Sequence, residues 1–176
     1  MNGTEAAAVA DRRRVVAWAD PGPAVAAGQH IAGIELLRRI RDGELPAPPI
    51  AALLGFALTE AEEGRVVMRM RAGEHLFNPL GTVHGGALAT LLDSVMGCAV
   101  HSTLPRGRGY TTLEIKVNYL RAATDAVGEL IAEGRVVHAG RRAAVAEGKM
   151  VDARGRLIAT ASTTCLVFDL ETAAPA

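Results

Sequence analysis

The sequence predicts an α+β fold in which six antiparallel strands form a strongly curved sheet around one long, mostly apolar helix. Three observations lead there. Residues 86–103 are mostly apolar or small, and Asp93 is the only charged residue among them. Several other segments alternate apolar and polar residues with a period of two, as half-buried strands do. They follow the order two strands, helix, four strands, and short turns between consecutive strands force antiparallel pairing. A helix apolar around much of its circumference needs a sheet that curls around it.

The elements follow in order. Residues 1–29 are rich in Ala, Gly and Pro, and Pro21-Gly22-Pro23 is expected to break regular structure. A short helix over residues 13–18 is compatible with the sequence. In residues 31–41, Ile31, Ile34, Leu37 and Ile40 recur at helical spacing while Arg38, Arg39 and Arg41 fall elsewhere. This amphipathic helix is expected to pack on the outside of the domain and to stop at Gly43 and the Pro46, Pro48, Pro49 cluster. Residues 53–59 and 65–72 read as a strand pair around a turn at 60–64, the second alternating Val66, Met68 and Met70 with Val67, Arg69 and Arg71. A loop carries Asn78, Pro79 and Gly81. After the long helix and a turn at 105–109, Leu113, Ile115, Val117 and Tyr119 alternate with Glu114, Lys116 and Asn118. That pattern puts the first four on the apolar face of the clearest strand in the chain. Residues 127–138, 142–152 and 156–168 complete the six, with hairpin turns at Ala139-Gly140 and at 152–155. The organisation expected is an arm of one or two short helices over 1–49, one domain over 50–170 and a disordered tail over 171–176.

Composition removes several functions. The 176 residues are 49% hydrophobic, enough for one core, and carry 19 basic and 19 acidic side chains. A net charge of zero supplies no field for nucleic acid or an anionic membrane surface. Aromatic residues at 3% argue against base stacking. No apolar run reaches membrane-span length and no secretory leader pattern is evident, so the expectation is a cytoplasmic protein. Cys98 and Cys165 cannot make a disulfide framework and are expected to be reduced core thiols. His30, His75, His84, His101 and His138 lack metal-ligand spacing, no metal is expected, and no Gly-Xaa-Ser-Xaa-Gly elbow is present.

The chemistry concentrates in residues 78–101, NPLGTVHGGALATLLDSVMGCAVH. Leu88, Leu91, Leu92, Val95, Met96 and Ala99 share one helical face, which is core. The opposite face holds Thr90, Asp93, Gly97 and Val100. A lone carboxylate in apolar surroundings must be hydrogen-bonded or have its pKa raised, and it is a candidate base. His84-Gly85-Gly86 opens the helix, where unpaired N–H groups point outward and suit a developing negative oxygen. Gly85 and Asp93 are eight residues, roughly 12 Å, apart along one helix axis. One helix cannot bring both to a single carbonyl. Two copies related by a two-fold axis can, with Gly86, Ala89, Thr90 and Gly97 allowing close approach.

Asn78, the run from Gly81 through Thr82, Val83, His84 and Gly85 to Gly86, and the stretch Thr90, Leu91, Leu92, Asp93 resemble the hotdog-fold acyl-CoA thioesterases of the PaaI-like subgroup. The strands at 112–119 and 155–164 are similar too, so the resemblance covers about residues 50–168. It implies a six-stranded sheet wrapped around the helix and a homodimer with a continuous sheet, often doubled to a homotetramer. It also implies hydrolysis of an acyl-CoA or aryl-CoA thioester without a cofactor. In that reading Asp93 activates water or attacks directly, the Gly85 N–H polarises the carbonyl, Asn78 stands beside it and Thr112 helps place the water. His84 either bonds within its loop or orients the thioester. Some members carry Ser or Thr one turn after the carboxylate; here Gly97 stands there, which leaves Thr112 as the hydroxyl. The diphosphate and 3′-phosphate of coenzyme A need basic partners. Arg141 and Arg142, following Gly140, are the first candidates and Arg121 the second.

Two other functions compete. An acyl-thioester hydratase or dehydratase would use His84 with the carboxylate to move protons on the carbon chain. A non-catalytic acyl-CoA sensor would be expected to carry a DNA-binding helix pair, for which residues 31–41 supply only one helix. Thiol release separates hydrolysis from both. The identity of the acyl group is not legible in the sequence.

Overall fold

The structure is a computed structural model that describes residues 12–170. The tail expected over residues 171–176 lies outside them. Three short helices come first: α1 (Gly22–Gly28), α2 (Gly33–Arg41) and α3 (Pro49–Leu54). The hairpin β1 (Phe56–Glu62) and β2 (Arg65–Arg71) leads through a loop to α4 (Gly85–Ser102), and β3 (Arg108–Tyr119), β4 (Glu129–Ala139), β5 (Ala143–Asp152) and β6 (Leu157–Asp169) follow. The strands form one six-stranded sheet in the order β1-β2-β4-β5-β6-β3, every neighbour antiparallel. This is the α+β architecture expected, with β1 and β3 at the edges.

The sheet wraps α4. Leu91, Leu92, Val95 and Met96 are fully buried, and Gly97, Ala99 and Val100 are buried as well, so α4 is core on most of its circumference in its second half. Two glycines set how closely it lies. Gly134 of β4 and Gly148 of β5 are register partners. A Cβ on Gly134 would stand 2.5 Å from the Val95 carbonyl oxygen and 2.9 Å from Met96 Cα. A Cβ on Gly148 would meet side chains alone, Met96 Cγ and Sδ at 3.0 Å and Leu92 Cδ2 at 3.3 Å. The helix backbone therefore rests on the strand backbone at Gly134, closer than any side chain would permit.

The outer face is held by charge. Glu133 on β4 accepts from Arg65 of β2 and Arg135 of its own strand and pairs with Lys149 of β5. Burial alone would raise its pKa; the Arg135, Arg65 and Lys149 contacts outweigh burial and hold the carboxyl at about 2. Between β5 and β6, buried Asp152 accepts from the Arg154 and Arg156 amides and the Arg156 guanidinium, while Gly155 takes φ +76°. That ties the hairpin turn expected there.

The first third of the described chain departs from expectation at three points. Residues 13–18 are not helical. Pro21-Gly22-Pro23 starts α1 rather than breaking structure, because Pro23 falls in the first turn, where its missing N–H and fixed φ cost nothing. The segment expected to begin a strand at residue 53 is instead α3, with Pro49 in its first turn and Gly55 closing it at φ +77°. The strand starts only at Phe56. The proline cluster that ends α2 thus also begins α3. On the expected outer helix, the α2 N-terminus sits against the end of α4: the Gly33 N–H donates to the Leu104 carbonyl at 3.0 Å, and a Cβ at Gly33 would strike the His101 carbonyl.

A fourth difference concerns β3. The pattern put Leu113 with Ile115, Val117 and Tyr119 on the inner face, but Leu113 is 61% exposed. β3 pairs Thr112 with Cys165 and Glu114 with Thr164, leaving Leu113 as the extra residue of a bulge. The bulge exchanges the faces, so Tyr110 and Thr112 point inward before it and Ile115, Val117 and Tyr119 after it.

The two glycines under α4 should respond differently to one added methyl. Gly134→Ala, whose clash is with backbone, is expected to cost about 3 kcal/mol, and Gly148→Ala, against a flexible methionine, under about 1.5 kcal/mol. Urea unfolding of both variants checks this, and equal losses would show that α4 does not rest on β4.

Candidate active site

The loop before α4 is closed by its own polar groups. Asn78 Oδ1 accepts from the Leu80 and Thr82 amides, its Nδ2 donates to Thr82 Oγ1 at 3.0 Å, and its N–H donates to the Thr82 carbonyl. Gly81 makes the turn at φ +73°. Val83 and His84 amides donate to the Ala123 and Leu76 carbonyls and anchor the loop to the body. His84 is the N-cap of α4: its Nδ1 accepts from the Gly86 N–H at 2.8 Å, and its carbonyl takes the Ala87 and Leu88 amides. The Gly85 N–H is the one amide of that first turn left without a partner among the described residues. Tyr119, at the end of β3, donates its hydroxyl to the Gly85 carbonyl at 2.8 Å, and its ring packs where a Gly85 side chain would begin.

Two turns further on, Thr112 donates its hydroxyl to Asp93 Oδ1 at 2.9 Å. The carboxylate is half-buried and hydrogen-bonded. This bond depends on the bulge at Leu113, without which Thr112 would face the other way. Gly97, one turn beyond Asp93, is filled from the strand. A Cβ there would lie 2.5 Å from Tyr110 Oη, so Tyr110 occupies the position. Gly97 therefore accommodates Tyr110 rather than a second helix, as the small-residue face had suggested. Burial, then the neighbouring Cys98, Cys165 and Asp93 groups, push the Tyr110 phenol well above its usual range. Both cysteines are free thiols; burial, then the Asp93 charge, push Cys98 up to about 12.

The candidate residues fall into three groups within one chain. Asp93 and Thr112 are bonded together near the middle of α4. Asn78, Gly85 and Arg121 line a cleft of about 370 Å³ at its N-terminal end, with Thr82 and Tyr119, and His84 adjoins it. Gly140 and Arg141 line another cleft, of about 210 Å³, beside Thr103 at the C-terminal end, with exposed Arg142 next to them. Arg121, ranked second from the sequence, is thus the arginine that shares a cleft with Asn78 and Gly85. Thr82, Tyr110 and Tyr119 were missed. The two tyrosines occur on the strand whose inner face the alternation had marked, and only the bulge tells which side of it each occupies.

Among the described residues β3 bonds only to β6, so its outer edge is unpaired over a twelve-residue strand. Asp93 and Thr112 lie behind that edge, which presents Leu113 and Tyr119. Long apolar edges of this kind invite a further strand. Among the described residues no group of His, Cys, Asp and Glu could hold a metal ion, and no helix is long and apolar enough to cross a membrane.

Comparison with known proteins gives the following. The model of the thioesterase superfamily matches residues 80–159, which hold the α4 motif and most of β3 to β6. A Halobacterium salinarum protein named as an esterase is 37% identical over 107 residues, covering 58% of this chain and 69% of its own. Human acyl-coenzyme A thioesterase 13 is 29% identical over 126 residues, covering 70% of this chain and 88% of its own. The crystal structure of a Ralstonia eutropha thioesterase, described as phenylacetic acid degradation-related, superimposes with a TM-score of 0.68 at 32% identity. It covers 74% of this chain and 98% of that one.

The geometry gives His84 a capping role that can be tested alone. His84→Ala should lose about 1 kcal/mol of stability, while His84→Asn, which keeps an acceptor at the cap, should lose a few tenths. Thermal and denaturant unfolding distinguish the two; equal losses would assign His84 a role outside the cap.

Proposed function

The chain belongs to the thioesterase superfamily, with the hotdog fold of its PaaI-like members, and on that premise we propose that it hydrolyses an acyl-CoA or aryl-CoA thioester to the free acid and coenzyme A. The observation that carries this reading is the Asp93–Thr112 hydrogen bond, set behind an unpaired strand edge and two helical turns from an unpartnered Gly85 N–H. Thr112 occupies Oδ1 and fixes the carboxylate, so Oδ2 remains to take a proton from water. The hydroxide formed attacks the thioester carbonyl. The oxygen that becomes negative is held by the Gly85 N–H at the helix N-terminus. The thiolate then leaves, and thiolates need little help to do so. No cofactor or metal enters this sequence.

The base and the donor of one site come from different chains. They stand roughly 12 Å apart on one helix, and an antiparallel second α4 brings each Asp93 to the other's Gly85 and Asn78. Pairing of two β3 edges would supply that arrangement, cover Leu113 and continue the sheet, so the working unit is a homodimer, whether or not two dimers assemble further. Arg121, in the cleft with Asn78 and Gly85, and Arg141 with Arg142, at the other end of α4, are the cations available to the coenzyme A phosphates. Hydrolysis is favoured over hydration because His84 Nδ1 is engaged by the Gly86 N–H and its helix-capping role leaves it a poor proton carrier. The two free thiols fit a reducing compartment, and the protein is read as cytoplasmic.

Asp93→Asn keeps the size and the Thr112 contact but removes the base. Turnover, followed as free thiol released from acyl-CoA, should fall about a hundredfold or more with substrate binding kept. Near-normal turnover would remove Asp93 from the mechanism.

Complementation tests the shared site. Asn78→Ala and Asp93→Asn homodimers should each be nearly inactive. Unfolded together and refolded as a mixture, about half the dimers are mixed, and each of those has one site with both defects and one with neither. Activity should return to about a quarter of wild type. A mixture as inactive as its parents, with mixed dimers verified by mass, would mean that each site lies within one chain.

A further inference from the structure

Toward the C-terminal end of α4 the chain forms an open apolar cleft of about 380 Å³ that the chemistry above does not use. Its floor is the C-terminal end of α4 at His101. One wall is the start of β3 and the end of β6, at Gly109, Tyr110 and Phe168. The opposite wall is the helical arm: Ala24 and Val25 of α1, Leu36 and Ile40 of α2. Among the described residues no Asp, Glu, Lys or Arg lines it. Burial lowers the His101 pKa, so that wall is neutral too. The volume lies within the range of small-ligand pockets.

Two features tie this cavity to the carboxylate. Tyr110 belongs to both, since its ring lines the cavity while its hydroxyl stands over Gly97, one helical turn and roughly 6 Å from Asp93. His101 follows Gly97 by one more turn on the same side and is in tilted contact with the Tyr110 ring at 5.7 Å. Tyr110 therefore stands between Gly97 and the cavity, one helical turn beyond Asp93. Ile40 and Pro48 also border a second, smaller apolar space of about 190 Å³, floored by Cys98, that continues beneath α2. The arm that borders the cavity lies before residue 80, where the superfamily match starts.

Resting on the thioesterase reading, we propose that this cavity is the site of the acyl tail, and that α1 and α2 select substrates whose apolar acyl chain is long enough to pass Tyr110 and lie against Ala24, Leu36 and Ile40. An apolar tail gains by leaving water for an uncharged cavity, and a short acyl group that ends over Gly97 gains nothing from it. The arm then acts on kcat/KM in proportion to tail length while leaving the chemistry at the carbonyl unchanged.

The test is a series of straight-chain acyl-CoA esters from acetyl to palmitoyl, read by thiol release, on wild type and on Ala24→Trp and Leu36→Trp. These fill the cavity from α1 and from α2 respectively. The wild type should rise in kcat/KM from acetyl to decanoyl by tenfold or more. Each Trp variant should lose at least tenfold on decanoyl-CoA while staying within twofold of wild type on acetyl-CoA. Circular dichroism and a thermal melt verify folding, and two variants on separate helices guard against one failing to fold. A change equal at every chain length, or none in two folded variants, overturns the proposal. So does a shift in sedimentation mass with an unaltered chain-length profile, which would make the cavity a contact between copies. If the wild type releases no thiol from any ester, the thioesterase reading fails instead. Calorimetric titration with decanoate then decides the cavity by itself: binding to wild type that is lost in both Trp variants supports an apolar-tail site, and no binding to wild type overturns it.

Discussion

The structure depends on one close approach. At Gly134 the backbone of β4 touches the backbone of α4, with 2.5 Å left where a Cβ would meet the Val95 carbonyl. Glycine is the residue that lets a helix lie this near a strand. Once α4 is seated there, Leu91, Leu92, Val95 and Met96 are sealed between it and the curved sheet, and its two ends are fixed relative to every strand. The first turn falls where Tyr119 can reach the Gly85 carbonyl, Asp93 where Thr112 can reach its carboxylate, and Gly97 where Tyr110 can fill it. Three inward side chains of one strand thus meet α4 at three heights, and the candidate chemistry is arranged along that seam.

The seam also explains why the site is divided. A helix is rigid, and eight residues of it hold Gly85 and Asp93 roughly 12 Å apart. No side-chain motion within one chain closes that gap. The free edge of β3 lies against the same seam, so the surface that lacks a strand is also the surface that lacks half of the catalytic groups. Assembly and chemistry are joined by geometry in this reading, and an isolated chain would be both unpaired and incomplete.

The arm adds a separate layer. α2 caps the end of α4 through Gly33, and with α1 it borders apolar space against Tyr110 and His101. On the proposed reading, with the candidate catalytic groups on a helix and an edge strand, the substrate can vary with what packs over the other end of that helix.

Much of this was written in the sequence, because the signals are local. The periods of two and 3.6, the hairpin turns at 139–140 and 152–155, and the apolar helix with one carboxylate depend on residues close together in the chain, and the helix and both turns fall within a residue or two of their expected places. The motif of Asn78, His84, Gly85 and Asp93 was legible for the same reason, and so was the distance that splits it. Two local readings failed because their signal was ambiguous: proline marked the start of α1 and α3, where it tolerates a first turn as readily as it ends a helix. What only the tertiary structure decided was which face each residue of β3 presents. Alternation assigned Leu113 inward, and the sequence carries no mark of the bulge, since its one extra residue is set by pairing with β6, some fifty residues later. That single slip in register turns Thr112 onto Asp93 and Leu113 to the open edge, because side chains in a strand change sides with every residue.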